Sequence, residues 1–227
     1  MTLSIEGFLR SSEVAQFRQA LVESDWVDGS ATAGHLSRHA KRNRQLRESH
    51  PVAARLGGII LDALERHPLF MSYALPERIV PPLFNAYTGG EEYGAHIDGA
   101  IRPIGGHPIR VRTDISATLF LSDPDSYEGG ELIVEDRDEG GRAYKLAAGT
   151  LLLYHSGNVH RVAPVTSGER LASFFWIQSM VRSREQRGML FDLDSTIQRL
   201  RTVVPDDPGI VRLTGHYHNL LRLWAEI

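Results

Sequence analysis

Apolar residues recur at two different periods along this chain. Near the N-terminus Val14, Phe17 and Leu21 follow at helical spacing, and Ser11 or Ser12 before them is a residue type that caps helices. A second amphipathic stretch, PVAARLGGIILDALERH, opens on Pro51, a favoured first-turn residue, and repeats Val52, Leu56, Ile59, Ile60 and Leu64. The Gly57–Gly58 pair within it predicts close packing or a kink. From about residue 80 the period shortens. PPLFNAY, DISATLFLS, GELIVED, GRAYKLA, GTLLLYH, HRVAPV and RLASFFWIQ read as strands, parted by turn chemistry in GGEEYG, DPDSYEGG, DRDEGG, SGN and TSGE. The apolar density of LLLYH and FFWI predicts strands buried on both faces. After Met180 the helical period returns in STIQRLRTVV and HYHNLLRLWAEI, with PDDPG as the break.

This order predicts an α+β chain with an antiparallel jelly-roll core and flanking N-terminal and C-terminal helices. Its parts are a helical support region at 1–79, a β core at 80–180 and a helical extension at 181–227. The 227 residues suit one sizeable core, so these parts form a single compact unit. Leu220, Leu221, Leu223 and Trp224 on the last helix suit either that core or contact with a second copy, a homo-oligomer.

Charge and composition narrow the function. A net charge of −3 argues against a dedicated nucleic-acid binder, which shows a basic stripe. The one basic run, HLSRHAKRNRQLR at 35–47, reads as a solvated face. There is no cysteine, which excludes thiolate metal sites and a cysteine nucleophile and fits a reducing compartment. The N-terminus carries no basic segment followed by an apolar one, and no apolar run reaches the roughly 20 residues that span a bilayer. A cytoplasmic location without membrane contact is the expectation.

The candidate chemistry begins in YGAHIDGA. His96 and Asp98 are two apart, and in an extended segment residues i and i+2 face the same side. Downstream, YHSGNVHRVAPVTSGER offers His155 and His160 as a third ligand. Two histidines and one carboxylate that leave positions open suit non-haem Fe(II), although imidazole also suits zinc. Arg170 opens the strand RLASFFWIQ, and a buried arginine needs an anion, for which its fork suits a carboxylate. Tyr87 precedes the His-x-Asp turn and is placed to donate to the same group. Trp176 shares a strand face with Arg170, which suits either lining the site or core packing, the latter favoured. His216 and His218 sit two apart in a helical segment, where their side chains diverge, so they are not read as ligands. The loop AIRPIGGHPIRVRTD brings Arg102, His107, Arg110 and Arg112, which suits either an anionic or polar substrate or a solvated loop.

Taken together, FNAYTGGEEYGAHIDGA, YEGGELIVED, LAAGTLLLYHSGNVHRVAPVTSGER and FFWIQSMVR resemble the iron/2-oxoglutarate dioxygenase superfamily. Within it the chain is most similar to the bacterial PKHD-type hydroxylases. The resemblance extends to SDWVDGSATAG and the helical tail and is densest between Leu83 and Arg182. It implies a double-stranded β-helix core, with His96, Asp98 and His160 as iron ligands and Arg170 as the 2-oxoglutarate anchor. It also implies Fe(II) and L-ascorbate as cofactors, and dioxygen and an unidentified substrate as partners. The implied reaction is hydroxylation with release of succinate and carbon dioxide. Three readings compete, of which nucleic-acid demethylation, with the 35–47 basic run as a backbone-binding patch, gets little help from the overall charge. A cosubstrate-independent metal enzyme on a cupin-like barrel would have no use for Arg170, and a non-catalytic binding or sensing module would not need a complete triad.

Overall fold

The computed structural model describes residues 2–29, 40–136 and 140–227. Residues 35–39 of the basic run, 30–34 of SDWVDGSATAG and 137–139 of DRDEGG lie outside the described residues. Four strands dominate what is described: Leu83–Tyr87, Ile115–Phe120, Leu151–His155 and Arg170–Ser179. They are buried along almost their whole length, so neither face is left for solvent. They form the middle of an eight-stranded antiparallel sheet in the order Leu3–Ile5, Leu151–His155, Ile115–Phe120, Arg170–Ser179, Leu83–Tyr87, Arg44–Gln45 and Val27–Asp28, with Pro76–Ile79 pairing on Arg170–Ser179. A second sheet of five strands runs Gly140–Tyr144, Leu132–Asp136, His160–Val162, Glu92–His96 and Lys41–Arg42. The two sheets face each other as a jelly roll.

The two-residue period of a strand decides what each face of the large sheet does. Phe84, Ala117, Leu153, Leu171 and Phe175 point outward into one apolar cluster. There they meet Phe17 and Leu21 of helix Ser11–Val22, Leu56, Ile60 and Leu64 of helix Pro51–Glu65, and Phe70 of helix Pro68–Ala74. Each such side chain contributes roughly 1.5–3 kcal/mol by leaving water. The alternate residues Tyr87, Phe120, Leu152 and Tyr154 point inward and pack on Leu132, Val134 and Val162 of the small sheet. The apolar density of LLLYH therefore does mark a strand buried twice.

Helices Arg184–Val203 and Pro208–Trp224 complete the outer layer. Phe191 meets Tyr73 edge-on with ring centroids 5.4 Å apart. Leu220, Leu221 and Trp224 close over Leu75, Val181 and Leu190, so three of the four apolar residues singled out on the last helix serve the core while Leu223 faces solvent. Helix Pro51–Glu65 runs unbroken through Gly57–Gly58, and a Cβ on Gly57 would lie 3.4 Å from Pro82 Cδ. There is no kink, and Gly57 faces Pro82 with room for ordinary van der Waals contact.

Several expectations need correction. Neither Ser11 nor Ser12 caps the first helix. Both fall inside its first turn; the cap is Arg10, whose N–H donates to Glu13 Oε2 at 2.7 Å. The first seventy-nine residues supply strands as well as helices, because Leu3–Ile5 and Arg44–Gln45 join the large sheet. HRVAPV is two strands, His160–Val162 and Val165–Gly168, in different sheets, since Pro164 between them has no N–H for a ladder. Glu92–His96, which carries the first candidate ligand, was not among the predicted strands.

Phe84 is wholly buried where the sheet meets Phe17, ring centroids 6.4 Å apart. Phe84→Ala is expected to lower unfolding free energy by about 3–5 kcal/mol, read as a shifted urea midpoint with unchanged slope.

Candidate metal centre and cavity

His96 and His160 are direct cross-strand partners in the small sheet. A bulge beside them fits the three steps from Tyr93 to His96 against the two from Val162 to His160. This puts both imidazoles on the inner face with ring centroids 4.2 Å apart. Asp98 lies two residues beyond the strand end and turns back to them, its carboxylate oxygens 3.9 Å from His96 Nε2 and 3.6 Å from His160 Nε2. One ligand atom from each of the three falls within 4.8 Å of the others.

The surrounding groups fix which atoms are offered. His96 Nδ1 donates to the Gly94 carbonyl at 2.8 Å and His160 Nδ1 to the Asn158 carbonyl at 3.0 Å. A carbonyl only accepts, so each Nδ1 carries a proton, and each Nε2 is the ring nitrogen that faces Asp98. Burial, and then the neighbouring His160, push the His96 pKa down to about 4, so it is neutral near pH 7. Ser116 Oγ donates to Asp98 Oδ2 at 2.6 Å and is itself 2.8 Å from Ser156 Oγ. Two imidazoles and a carboxylate held by their outer partners are a donor set that fits a divalent cation such as Fe(II).

His155 takes no part. On strand Leu151–His155 it falls with Leu151 and Leu153 on the outward face, while Leu152 and Tyr154 face inward. It lines instead a crevice of about 30 Å³ with Tyr73, Arg184 and Arg187, and its Nδ1 accepts from Gly157 N–H at 2.9 Å. His216 and His218 are exposed on the last helix, apart from the triad.

The triad opens into a cavity of about 620 Å³ between the sheets. Arg170 lies in its wall, 1 % exposed, with its guanidinium 5.4 Å from the ring centres of Tyr87 and Phe120. Its Nε has no hydrogen-bond partner among the described residues. Tyr87, opposite Arg170 in the ladder, also lines the cavity; burial raises its pKa to about 12, so its hydroxyl remains a donor. Trp176 shares this inner face with Arg170 and walls the cavity instead of only filling core.

Two cations in the cavity wall are not separated from their neighbours by residue order. Lys41, read as part of a solvated run, is 5 % exposed and lines the cavity. Its Nζ donates to Gln45 Oε1 at 2.8 Å and lies 5.5 Å from the Tyr93 ring centre; burial and then Arg102 lower its pKa to about 8. Of the loop cluster, Arg102 alone turns into the cavity, its guanidinium 4.0 Å over the Trp176 ring. Arg112 is structural, bonded to Asp114 and the Ser179 carbonyl, while His107 and Arg110 are exposed.

Comparison with known proteins places these residues in context. Residues 82–178 match the 2OG-Fe(II) oxygenase superfamily model and 185–226 the PKHD-type hydroxylase C-terminal domain. A PKHD-type hydroxylase of Saccharophagus degradans is 55 % identical over 226 residues, with all of both chains covered. One from Burkholderia cenocepacia is 57 % identical over 227 residues with the same coverage. Among solved structures, a Pseudomonas putida prolyl-4-hydroxylase aligns with TM-score 0.55 at 19 % identity, covering 78 % of this chain and 92 % of its own. HygX from Streptomyces hygroscopicus, with nickel, 2-oxoglutarate and hygromycin B bound, aligns with TM-score 0.54 at 20 % identity over 79 % of this chain and 84 % of its own. At such identities these structures speak for the shared jelly-roll fold.

Two outcomes follow from the centre's surroundings. Ser116→Ala is expected to weaken anaerobic Fe(II) binding by about 10- to 100-fold, whereas His155→Ala leaves it unchanged, both by calorimetry. In metal-free protein His96 resists protonation down to about pH 4, whereas an unfolded histidine takes a proton near 6.5. Stability therefore falls as pH drops through that window. Between pH 7.5 and 5 wild type should lose about 2 kcal/mol more than His96→Gln in urea unfolding.

Proposed function

The chain belongs to the PKHD-type hydroxylases of the 2OG-Fe(II) oxygenase superfamily, and from that premise we propose that His96, Asp98 and His160 hold the iron while Arg170, aided by Tyr87, holds 2-oxoglutarate. The enzyme is an Fe(II)/2-oxoglutarate-dependent dioxygenase. When bound, iron and 2-oxoglutarate supply dioxygen-dependent hydroxylation of a substrate C–H bond, with release of succinate and carbon dioxide. Everything else is the work of the chain's own residues.

The observation that carries the assignment is the buried Arg170, whose Nε has no hydrogen-bond partner among the described residues and which lines the same cavity as the triad. A guanidinium wholly removed from water is costly without an anion. A diacid gripped there by one carboxylate has its other end free to approach the triad. Tyr87 donates to the same carboxylate from the neighbouring strand, and Phe120 beside it keeps water out. A cosubstrate-independent metal enzyme would leave Arg170 without a counter-ion, which weighs against that alternative. L-Ascorbate belongs to the proposal as accompanying cofactor, with no residue assigned to it.

Among the described residues no helix is long and apolar enough to cross a membrane. A chain without cysteine supports a cytoplasmic location as part of this proposal.

Anaerobic addition of Fe(II) and then 2-oxoglutarate should produce visible charge-transfer absorption only when both are present. Arg170→Met is expected to weaken 2-oxoglutarate binding at least about 30-fold, and Tyr87→Phe about 2- to 10-fold. Bound iron with no 2-oxoglutarate-dependent absorption in wild type would overturn the assignment.

A further inference from the structure

The cavity is larger than a five-carbon diacid needs; at about 620 Å³ it falls in the range that buries a drug-sized ligand. Its polar wall also contains more positive charge than iron and 2-oxoglutarate explain. Asp98 is the only carboxylate lining it among the described residues, and it faces the metal position. Iron, the diacid, Asp98 and Arg170 balance one another in charge. Lys41 and Arg102 are two further cations in that wall.

Both are held in place by flat apolar surfaces. Lys41 Nζ lies 5.5 Å from the ring centre of Tyr93 and 5.6 Å from that of Phe174. Tyr93 in turn stacks on His96 with centroids 3.6 Å apart, so this cation is one aromatic ring away from the metal centre. Arg102 lies over Trp176, and its buried Nε has no hydrogen-bond partner among the described residues. Stacking of this kind fixes the plane of the fork and leaves its edge for a planar anion. Glu48, the carboxylate nearest Arg102 among the described ion pairs, is 4.0 Å away with its side chain half exposed.

We infer that Lys41 and Arg102 form the substrate subsite of this dioxygenase and that its substrate is a small molecule bearing a carboxylate next to a flat or apolar body. The inference rests on the oxygenase reading of the triad and Arg170. The carboxylate sits between Lys41 and Arg102, and Tyr93, Phe174 and Trp176 enclose the body. Tyr93, which lies against Lys41 and stacks on His96, then places the bond to be hydroxylated near that carboxylate. A residue within a neutral stretch of polypeptide brings no anion to meet these cations.

The test uses the full chain loaded anaerobically with Fe(II) and saturating 2-oxoglutarate, so that the triad and Arg170 are already occupied. The probes are 3-phenylpropanoate and 3-phenylpropanamide, of similar shape and different charge, titrated by calorimetry and by change in the charge-transfer absorption. Wild type is expected to bind the carboxylate at least about 10-fold more tightly than the amide. Arg102→Gln and Lys41→Met should each remove most of that preference while 2-oxoglutarate binding stays within about 2-fold, which also shows that both variants fold. Equal binding of the two probes, binding of neither, or retention of the preference in both variants overturns the subsite. Loss of 2-oxoglutarate binding in both variants also overturns it, by assigning these cations to the cosubstrate. Absence of 2-oxoglutarate-dependent absorption in wild type instead fells the underlying oxygenase reading.

Discussion

A strand covered on both faces has no solvent side on which to place polar groups, and the middle of the large sheet is built from four such strands. Each must divide its residues by parity. One set, Phe84, Leu153 and Phe175 among them, is given to the helices. The other set is free to carry Asn85, Ser116, Thr118 and Arg170, provided those polar groups meet partners or a hollow. The cavity is thus where a doubly buried sheet can tolerate polarity. Its position follows from the alternation, and so does the location of the chemistry.

The candidate centre spans this arrangement. Its two imidazoles belong to the small sheet, whereas Ser116, which orients Asp98, belongs to the large one. Both imidazole protons are committed to carbonyls only two residues back along their own segments, a local device that needs no distant support. The carboxylate depends on the opposite sheet. Distances within the centre therefore report how the sheets are seated on each other, which gives a jelly roll a rigid frame for positioning a ligand set.

Much of this was legible in residue order. The switch of apolar period near residue 80 marks the β core, and the doubled apolar density of LLLYH marks burial on both faces. What was not legible depends on pairing between distant segments. Strands of two or three residues such as Arg44–Gln45 have too few positions to show a period. Lys41 sits among basic neighbours and reads as solvated, yet its burial follows from pairing with Tyr93, some fifty residues on. His155 and His160 are equivalent candidates by type. They separate only when strand parity sends His155 to the helix side while the following turn carries the chain into the other sheet. Arg102 differs from Arg110 and Arg112 only through the hairpin Ile101–Pro103 and Arg110–Arg112 that turns it toward Trp176.

The three residues Leu3–Ile5 have a further consequence. They pair along Leu153 to Leu151, at what would otherwise be an open edge of the large sheet. Leu151–His155 is the kind of strand that, uncovered, presents unpaired amides and carbonyls on an apolar ribbon, a template for polymerisation between molecules. At the other end the sheet finishes in the two-residue strand Val27–Asp28, too short to serve as one. A short N-terminal ribbon that lines no part of the cavity therefore covers the apolar strand that would otherwise stand at an edge, and trimming it would lay that template bare.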